Sequence, residues 1–323
     1  MNNLEVISIL AFVVDQALVV HEIQADGGGS RYRLLETVSR FAARKLAESG
    51  MEEPSRRAHA MTFAAFALAL ADDLRSSNAQ RAINLVAADI DNLHGALDWH
   101  LSDEGEAEKA LQIAASLWPY WETRGLILEG RRYLSLALQA SPDGDSAIRA
   151  EVLMGLGVMA WTRRSVIEAR SYLEESLQLS TRAGDRLRRA AALNRIGDVA
   201  RHAGRLDEAP ALHEEALALY TNIHNPVGMA DAFMGLANAH RRSGRMNDAA
   251  TGYREARKLY FKGQNVRGEA WALNGLSLLS EYAGAWLTAQ RQLLAALDLF
   301  LVVDDRRGLI ACLLYTSPSP RDS

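Results

Sequence analysis

The feature that most constrains this fold is a self-similarity at an interval of 40 residues. Residues of one chemical type recur at this spacing in several independent columns, which indicates a stack of repeated units. The columns comprise Ala169, Ala209, Ala249 and Ala289; Leu156, Ile196, Leu236 and Leu276, each followed by a small residue (Gly157, Gly197, Ala237, Ser277); Leu179, Leu219, Leu259 and Leu299; Gly204, Gly244 and Gly284, with Arg164 in the first copy; and Gly228, Gly268 and Gly308.

Each unit is predicted to contain two amphipathic helices, helix A and helix B, joined by a tight turn. The small residues let helix A approach helix B closely, and a bulky residue there would overpack the crossing. One pair cannot bury its apolar face alone, so stacking makes the core continuous. We expect about five pairs, at roughly 110–140, 148–182, 188–222, 228–262 and 268–303, the first being less regular.

The order of Gly197, Gly204, Ala209 and Tyr220 resembles the tetratricopeptide repeat (TPR). The usual TPR period is 34 residues, so longer helices and connections are expected here. The resemblance implies a mainly α fold, a right-handed TPR-type α-solenoid of about five helix pairs. We expect a small winged-helix remnant with a β-hairpin, and a linking helical segment, to precede it.

The region before the repeats carries a turn-rich Asp-Gly-Gly-Gly-Ser string at 26–30 between two apolar stretches, which predicts the hairpin. No Lys-Ser or Lys-Thr follows the glycines, and a phosphate-binding loop needs that lysine, so a turn is favoured. A helix is predicted from Leu35 to Glu48, ending at Ser49 and Gly50.

Three strings resemble bacterial STAND regulators, the signal-transduction ATPases with numerous domains, many of them LuxR-type transcriptional regulators. The strings are RYRLLETVSRFA at 31–42, DIDNLHGALDW at 89–99 and the aromatic segment 117–134. The resemblance implies a winged-helix remnant at 1–49, a helical linker at 50–108 and a TPR sensor at 109–314. It places the ATPase core and any DNA-binding helix-turn-helix outside this chain, so neither activity is assigned to a residue here.

The segment 315–323 departs from the repeat, because Thr316 stands where an apolar residue is expected and two prolines follow. Proline cannot continue a helix. We interpret the segment as a disordered, foreign tail joined to an interrupted repeat, so that both ends of the chain look truncated. The same nine residues in an intact genomic locus would contradict this.

Composition excludes several function classes. A net charge of −4 and a pI near 6.1 argue against a nucleic-acid-binding domain. Cys312 is the sole cysteine, and no apolar run approaches the roughly 18 residues that span a bilayer, so a cytoplasmic protein with no membrane contact is expected. No paired histidines suggest a metal site and no Gly-x-Ser-x-Gly elbow is present. We therefore predict neither cofactor, metal nor enzymatic activity.

A partner-binding surface is predicted on the concave face, which helix A lines in TPR proteins. Its candidates are Asn194, Asp198, Arg201, His202, Asn238, Arg241, Arg242, Asn274, Glu281 and Tyr282. This mixed polar set suits a protein or peptide partner, or a small effector. The alternative is that Arg201, Arg241 and Arg242 only offset the negative end of helix A. A cluster of Trp118, Tyr120, Trp121 and Tyr133 is interpreted as a wedge against the first repeat rather than a pocket.

These observations favour the sensor region of a STAND-type regulator. A free-standing TPR scaffold and the regulatory region of a nucleotide cyclase or kinase are the alternatives.

Overall fold

The computed structural model describes residues 3–23, 30–76 and 78–316, in which sixteen α-helices, one 3-10 turn and a two-stranded sheet are found. The chain divides into two compact regions, Met1–Met61 and Thr62–Ser323, and the division falls within a helix. Across the described ranges, no helix combines the length and apolarity that a membrane span requires.

The first compact region confirms the predicted hairpin. Helix α1 (Asn3–Asp15) is followed by strands β1 (Val19–Ile23) and β2 (Ser30–Leu34) and by helix α2 (Glu36–Glu48). The strands pair antiparallel with Val19 opposite Leu34. The glycine-rich turn lies within 24–29, outside the described residues. Helix α2 ends as predicted, at Ser49 before a left-handed Gly50 (φ 72°).

Helices also fill the segment predicted as a helical link. They are α3 (Glu52–Leu70), a 3-10 turn at Asp73–Arg75, α4 (Ala79–Ala88) and α5 (Ile90–His100).

The five predicted helix pairs are confirmed, with bounds within a few residues of those expected. Repeat units one to five are α6 (Ala107–Arg124) with α7 (Ile127–Ala140), α8 (Ser146–Thr162) with α9 (Val166–Arg182), α10 (Arg186–His202) with α11 (Glu208–Asn222), α12 (Pro226–Arg242) with α13 (Met246–Lys262), and α14 (Val266–Tyr282) with α15 (Trp286–Val302). Helix α16 (Arg306–Thr316) continues the stack. Tyr315 and Thr316, assigned to the tail from sequence, are helical, and 317–323 lie outside the described residues.

Left-handed residues follow every helix A and the B helices of units two to five, and most of the connections are two or three residues long. The turns from helix A to helix B use Gly125, Arg164, Gly204, Gly244 and Gly284. The turns from helix B to the next helix A use Gly184, His224, Gln264 and Asp304. The glycine column was therefore correctly predicted as a turn, including its replacement by Arg164 (φ 62°).

A sixth periodic column caps the A helices. Its side-chain oxygens accept hydrogen bonds from backbone N–H groups in the first turn of α8, α10, α12, α14 and α16. Such caps are each worth about 0.5–2 kcal/mol. The column consists of Asp145, Asp185, Asn225, Asn265 and Asp305.

Aromatic rings lying over glycines set the distance between successive units. A Cβ added to Gly228 would lie 2.2 Å from the ring of Tyr220, and one added to Gly268 would lie 2.5 Å from the ring of Tyr260. Gly308 is packed in the same way against Phe300. These three glycines therefore occupy places where no larger residue fits without movement of a buried ring.

Within a unit, helices A and B approach as predicted. A Cβ on Gly157 would meet the side chain of Leu173 at 2.6 Å, and one on Gly197 would meet the ring of His213 at 2.8 Å. The alanine column at 169, 209, 249 and 289 is buried.

Paired charges join the B helices of the first three units. Arg131 of α7 donates two hydrogen bonds to Glu168 of α9, and Arg170 of α9 donates two to Glu208 of α11. This two-pronged geometry is the strong form of an Arg–carboxylate contact. We call these two pairs the B-helix clasp.

The ring-over-glycine contact predicts that Gly228→Ala destabilises the chain, by about 1–3 kcal/mol from overpacking against Tyr220. Helix propensity alone would give a gain of about 1 kcal/mol. The free energy of urea unfolding measures the change. A double-mutant cycle with Tyr220→Ala supplies the control, because the penalty should shrink once the ring is gone. Additive effects of the two substitutions would contradict the assignment.

Candidate functional site

The A helices of units two to five present their last two turns along one face, and the predicted residues divide there by depth. Arg201, Asp198, Asn238, Arg241 and Glu281 are half-buried. Three others, His202, Arg242 and Tyr282, are exposed. These eight residues are accessible to a partner.

The two remaining candidates lie in the core. Asn194 is 8% exposed and its Oδ1 lies 2.6 Å from Nδ1 of His213. Asn274 is 5% exposed, beside the buried Cys312. Both satisfy internal groups, so the structure does not place them where a partner would reach them.

A hydrogen-bonded cluster holds the polar groups of unit four. Tyr253 of α13 donates from its hydroxyl to Oδ1 of Asn238 at 2.8 Å, and Arg241 donates from Nε to the same hydroxyl at 3.3 Å. In unit three, Arg201 donates to Asp198 at 3.2 Å. These bonds fix the side chains in one arrangement before any partner arrives.

Two charged residues of this face escaped the sequence prediction. Arg195 and Asp231 are both exposed, and Tyr260 donates its hydroxyl to Asp231 at 2.5 Å. The surrounding helices displace part of the hydration of Arg195, which lowers its pKa, but the carboxylates of Glu122, Asp198 and Asp231 hold it above its ordinary value. Arg195 thus lies among acidic groups from three A helices.

A break in a glycine column could have identified Arg195. Gly155, Gly235 and Gly275 occupy the equivalent positions of the other units, where a Cβ would strike a neighbouring ring. Among units two to five, only Arg195 carries a side chain at that position. Asp231 has no comparable signal, because its column reads Glu151, Ala191, Asp231 and Trp271.

His213 is a second local exception. It is fully buried where Leu173 and Tyr253 stand in the neighbouring units. Burial lowers the pKa of His213, and the charge of Arg201 acts in the same direction, whereas the charge of Asp198 opposes them. Because the pKa is lowered overall, the imidazole is neutral at pH 7. Its bond to Asn194 gives it an internal structural role.

A pocket of about 420 Å³ lies between units four and five. Its walls come from the end of α12, the start of α13, the end of α14 and the start of α15. It is lined by Arg241, Met246, Leu278, Leu279, Glu281, Tyr282 and Trp286. Tyr282 is 75% exposed and Trp286 65% exposed. Three predicted residues, Arg241, Glu281 and Tyr282, therefore meet at one concavity, and Trp286 is a member that the sequence prediction missed.

The aromatic cluster near unit one forms a wedge, as interpreted from sequence. Trp118, Tyr120, Trp121 and Tyr133 are all buried. The rings of Trp121 and Tyr133 stack with centroids 5.9 Å apart.

Glu151 of α8 connects the linking segment to the solenoid. Its carboxylate accepts hydrogen bonds from Arg75 at 2.9 Å, from Nε1 of Trp118 at 2.8 Å and from Arg188 at 3.0 Å. Burial raises the pKa of Glu151, but Arg75, Trp118 and Arg188 outweigh it and hold the pKa below 4.5. The carboxylate is therefore a structural anion.

The described residues of this face form no metal-binding cluster. Across residues 3–23, 30–76 and 78–316, no three His, Cys, Asp or Glu side chains are grouped to hold a metal ion. What the face offers is a set of held polar groups and a pocket with exposed aromatic side chains.

Comparison with known proteins agrees with this architecture. Residues 148–222 match the tetratricopeptide repeat family. The match comprises repeat units two and three.

A provisionally named HTH-type transcriptional regulator of Mycobacterium bovis is 32% identical over 213 residues, which is 61% of this chain. The aligned part covers 23% of that relative, so the chain spans about a quarter of its length. A similar match is found to a protein of the same description in Mycobacterium tuberculosis.

Solved structures with the same fold include a Rap protein complexed with competence and sporulation factor. It has a TM-score of 0.57 and 11% identity, and covers 78% of this chain and 68% of that one. The Rap conjugation gene regulator of plasmid pLS20, in complex with a Phr peptide, has a TM-score of 0.56 and 16% identity, and covers 66% and 60%. At these identities the likeness establishes the TPR-like solenoid fold.

The Glu151 network predicts an acid-dependent stability. Because the folded pKa lies below the ordinary value, the network stabilises the fold above about pH 4.5, and this is lost as pH falls through the folded pKa. Glu151→Gln should cost about 1–3 kcal/mol at pH 7, since two guanidinium groups lose their anion. Thermal unfolding midpoints measured from pH 7 to pH 3 should show the difference from wild type shrinking.

Glu175→Gln is the matched control, because Glu175 is exposed and joins no ion pair in the described ranges. It should change the midpoint little at any pH. A Glu151→Gln deficit that stays constant with pH would contradict the proposed role of the charge.

Proposed function

We propose that this chain is the partner-sensing region of a transcriptional regulator, in which the TPR solenoid binds a peptide segment of a protein partner on its helix A face. A small effector bound on the same face is the variant of this proposal. In more detail, we assign it the arrangement of a STAND regulator. Binding of the partner would be communicated to an ATPase module and to a DNA-binding domain, both encoded outside these residues. The chain itself acts without catalysis and without direct contact to nucleic acid, in the cytoplasm.

The observation that carries the proposal is the set of solvent-accessible polar groups held in place along the A helices. Asn238 is fixed by Tyr253, Asp231 by Tyr260 and Asp198 by Arg201. Groups ordered in advance lose less conformational entropy on binding, which favours recognition. Polar contacts at a protein surface contribute little to folding stability. Stability alone therefore does not account for a row of exposed polar groups that are each held by a neighbouring side chain.

The comparisons support the two halves of the proposal separately. The mycobacterial relatives are described as HTH-type regulators, which supports a role in transcription. Of two Rap proteins with the same fold, one is complexed with competence and sporulation factor and the other with a Phr peptide, and the second complex supports a peptide as the occupant. TPR arrays in general offer extended binding surfaces.

Selection of a random peptide library against the purified chain tests the binding role. Enriched peptides are expected, and Arg195→Ala with Asn238→Ala should weaken them roughly tenfold, because both groups belong to the helix A face. The matched control is Arg254→Ala with Glu175→Ala, two exposed residues of B helices, which should leave binding unchanged. A library in which no peptide is enriched over a blank surface would contradict the binding role.

Titration with ATP and Mg²⁺ tests the assignment of nucleotide binding to a separate module. We expect no measurable heat, because no phosphate-binding loop with its lysine occurs in the sequence. Micromolar binding of ATP by this chain would overturn that assignment.

The in-frame coding sequence upstream of Met1 distinguishes the alternatives. An ATPase module there supports the STAND role, a stop codon supports a free-standing scaffold, and a cyclase or kinase domain supports the regulatory region of an enzyme.

A further inference from the structure

Basic side chains gather at the turns that join helix A to helix B in units two to four. We call this row the turn-edge strip. It consists of Arg163, Arg164, Arg201, His202, Arg205, Arg241, Arg242 and Arg245. All of them except Arg201 and Arg241 are exposed.

Two members of the strip form ion pairs with carboxylates of the described residues, and four of its exposed arginines have no such partner. Arg201 pairs with Asp198 at 3.2 Å and Arg205 with Glu208 at 3.4 Å. No carboxylate of the described residues lies within ion-pair distance of Arg163, Arg164, Arg242 or Arg245. In a chain of net charge −4, this is a local excess of positive charge on an exposed edge.

The strip is continuous from one unit to the next. The centroid of the His202 ring in unit three lies 4.4 Å from the centroid of the Trp161 ring in unit two. Partial burial and the charges of Arg201, Arg242 and Arg164 hold the pKa of His202 below its ordinary value, against the opposite effect of Asp198. Guanidinium groups from three successive units therefore act on one imidazole.

The far end of the strip opens into the pocket between units four and five. Arg241 forms one wall of that pocket, and Tyr282 and Trp286 form its exposed rim. Leu278, Leu279 and Met246 make its interior largely apolar. The basic side chains of the strip therefore extend along one edge as far as a pocket that suits a bulky apolar side chain.

We propose that the turn-edge strip and this pocket together bind an acidic peptide segment of a protein partner, with one bulky apolar side chain of that segment seated in the pocket. The proposal rests on the proposed function and names the partner's chemistry. The acidic side chains pair with the free arginines, and the apolar side chain packs between Tyr282 and Trp286.

The pocket distinguishes a peptide from a nucleic acid as the occupant. A phosphate backbone would satisfy the arginines, but it offers no aliphatic or aromatic side chain for an apolar interior at this end. Glu281 also stands in the pocket wall and would repel a phosphate there. A peptide that is acidic over most of its length and apolar near one end matches both parts.

The length of the segment follows from the repeat. Packed helices are about 8–10 Å apart and an extended chain advances roughly 3.3 Å per residue, so each unit corresponds to about three residues. Units two to five are therefore spanned by a peptide of about 12 residues.

Fluorescence anisotropy with four synthetic probes of that length tests the proposal on the full chain. The first alternates Glu and Ser and carries one Trp next to a terminus. The second has Gln for every Glu, the third has Ala for the Trp, and the fourth is single-stranded DNA of similar length. The first probe should bind most tightly, and the second and third should each lose roughly tenfold in affinity.

Substitutions in the chain separate the two parts of the surface. Arg164→Glu with Arg242→Glu reverses two exposed charges of the strip, and binding of the first probe should fall roughly tenfold or more. Arg182→Glu with Arg254→Glu makes the same charge change at exposed positions away from the strip, and should alter affinity by less than about twofold.

The pocket is tested by Trp286→Ala, a change at an exposed side chain. In this variant the first and third probes should bind equally, because the contact made by the peptide Trp is gone. Phe261→Ala, at a residue 72% exposed on α13 and outside the pocket lining, is the control and should preserve their difference.

Three results would overturn the proposal: equal binding of the Glu and Gln probes, equal losses in the strip variant and its charge control, or DNA that binds as tightly as the first probe regardless of Trp286. Library peptides that bind but are insensitive to the strip and pocket variants would leave the proposed function standing while this inference falls. Absence of any enriched peptide overturns the proposed function itself.

Discussion

The fold depends on aromatic rings held directly over glycines where one repeat unit meets the next. Tyr220, Tyr260 and Phe300 fill the space that a side chain at Gly228, Gly268 or Gly308 would need. Protein interiors are packed closely enough that one additional methyl group there forces a ring to move. The approach of successive units is thereby fixed at three places, and the surface that those units share inherits their spacing.

Capped helix starts and left-handed helix ends hold each unit in the same register. Asn225 and Asn265 order the first turns of α12 and α14, while the left-handed residues Gly244 and Gly284 end the same helices. Because both ends of the A helices of units two to five are determined, the polar groups of their last turns lie at repeating positions. A surface assembled from small units can then present one continuous arrangement of charges.

The repeat made the fold predictable, and the exceptions to the repeat limited the prediction of the site. Unit number, turn glycines and the hairpin followed from periodic columns and a glycine-rich string. The cap column was overlooked because some of its members are Asp and others Asn, although the side-chain oxygens of both accept the same hydrogen bonds. Asn194 and Asn274 were taken as surface residues because position within a helix does not reveal how far the neighbouring helices cover it.

Single-copy residues were harder still to assign from sequence. Arg195 occupies a glycine column and His213 replaces an apolar side chain, so each differs from its equivalents in the other units. Their roles come from neighbours brought in by other helices, Asp231 for the first and Asn194 for the second. Periodicity describes what the units share, whereas these contacts exist once, and one sequence carries no signal for them.

The B-helix clasp makes the two ends of the array differ in how their B helices are joined. It joins units one, two and three, and then stops where Pro210 stands in the place of an arginine. Between α11, α13 and α15, the described residues contain no ion pair that continues it. Units four and five, which form the pocket, are joined instead by packing and by the pair Arg257–Glu269, which links α13 to α14. Among the described residues, direct charge pairs between B helices are therefore concentrated at the end of the array that lies away from the pocket.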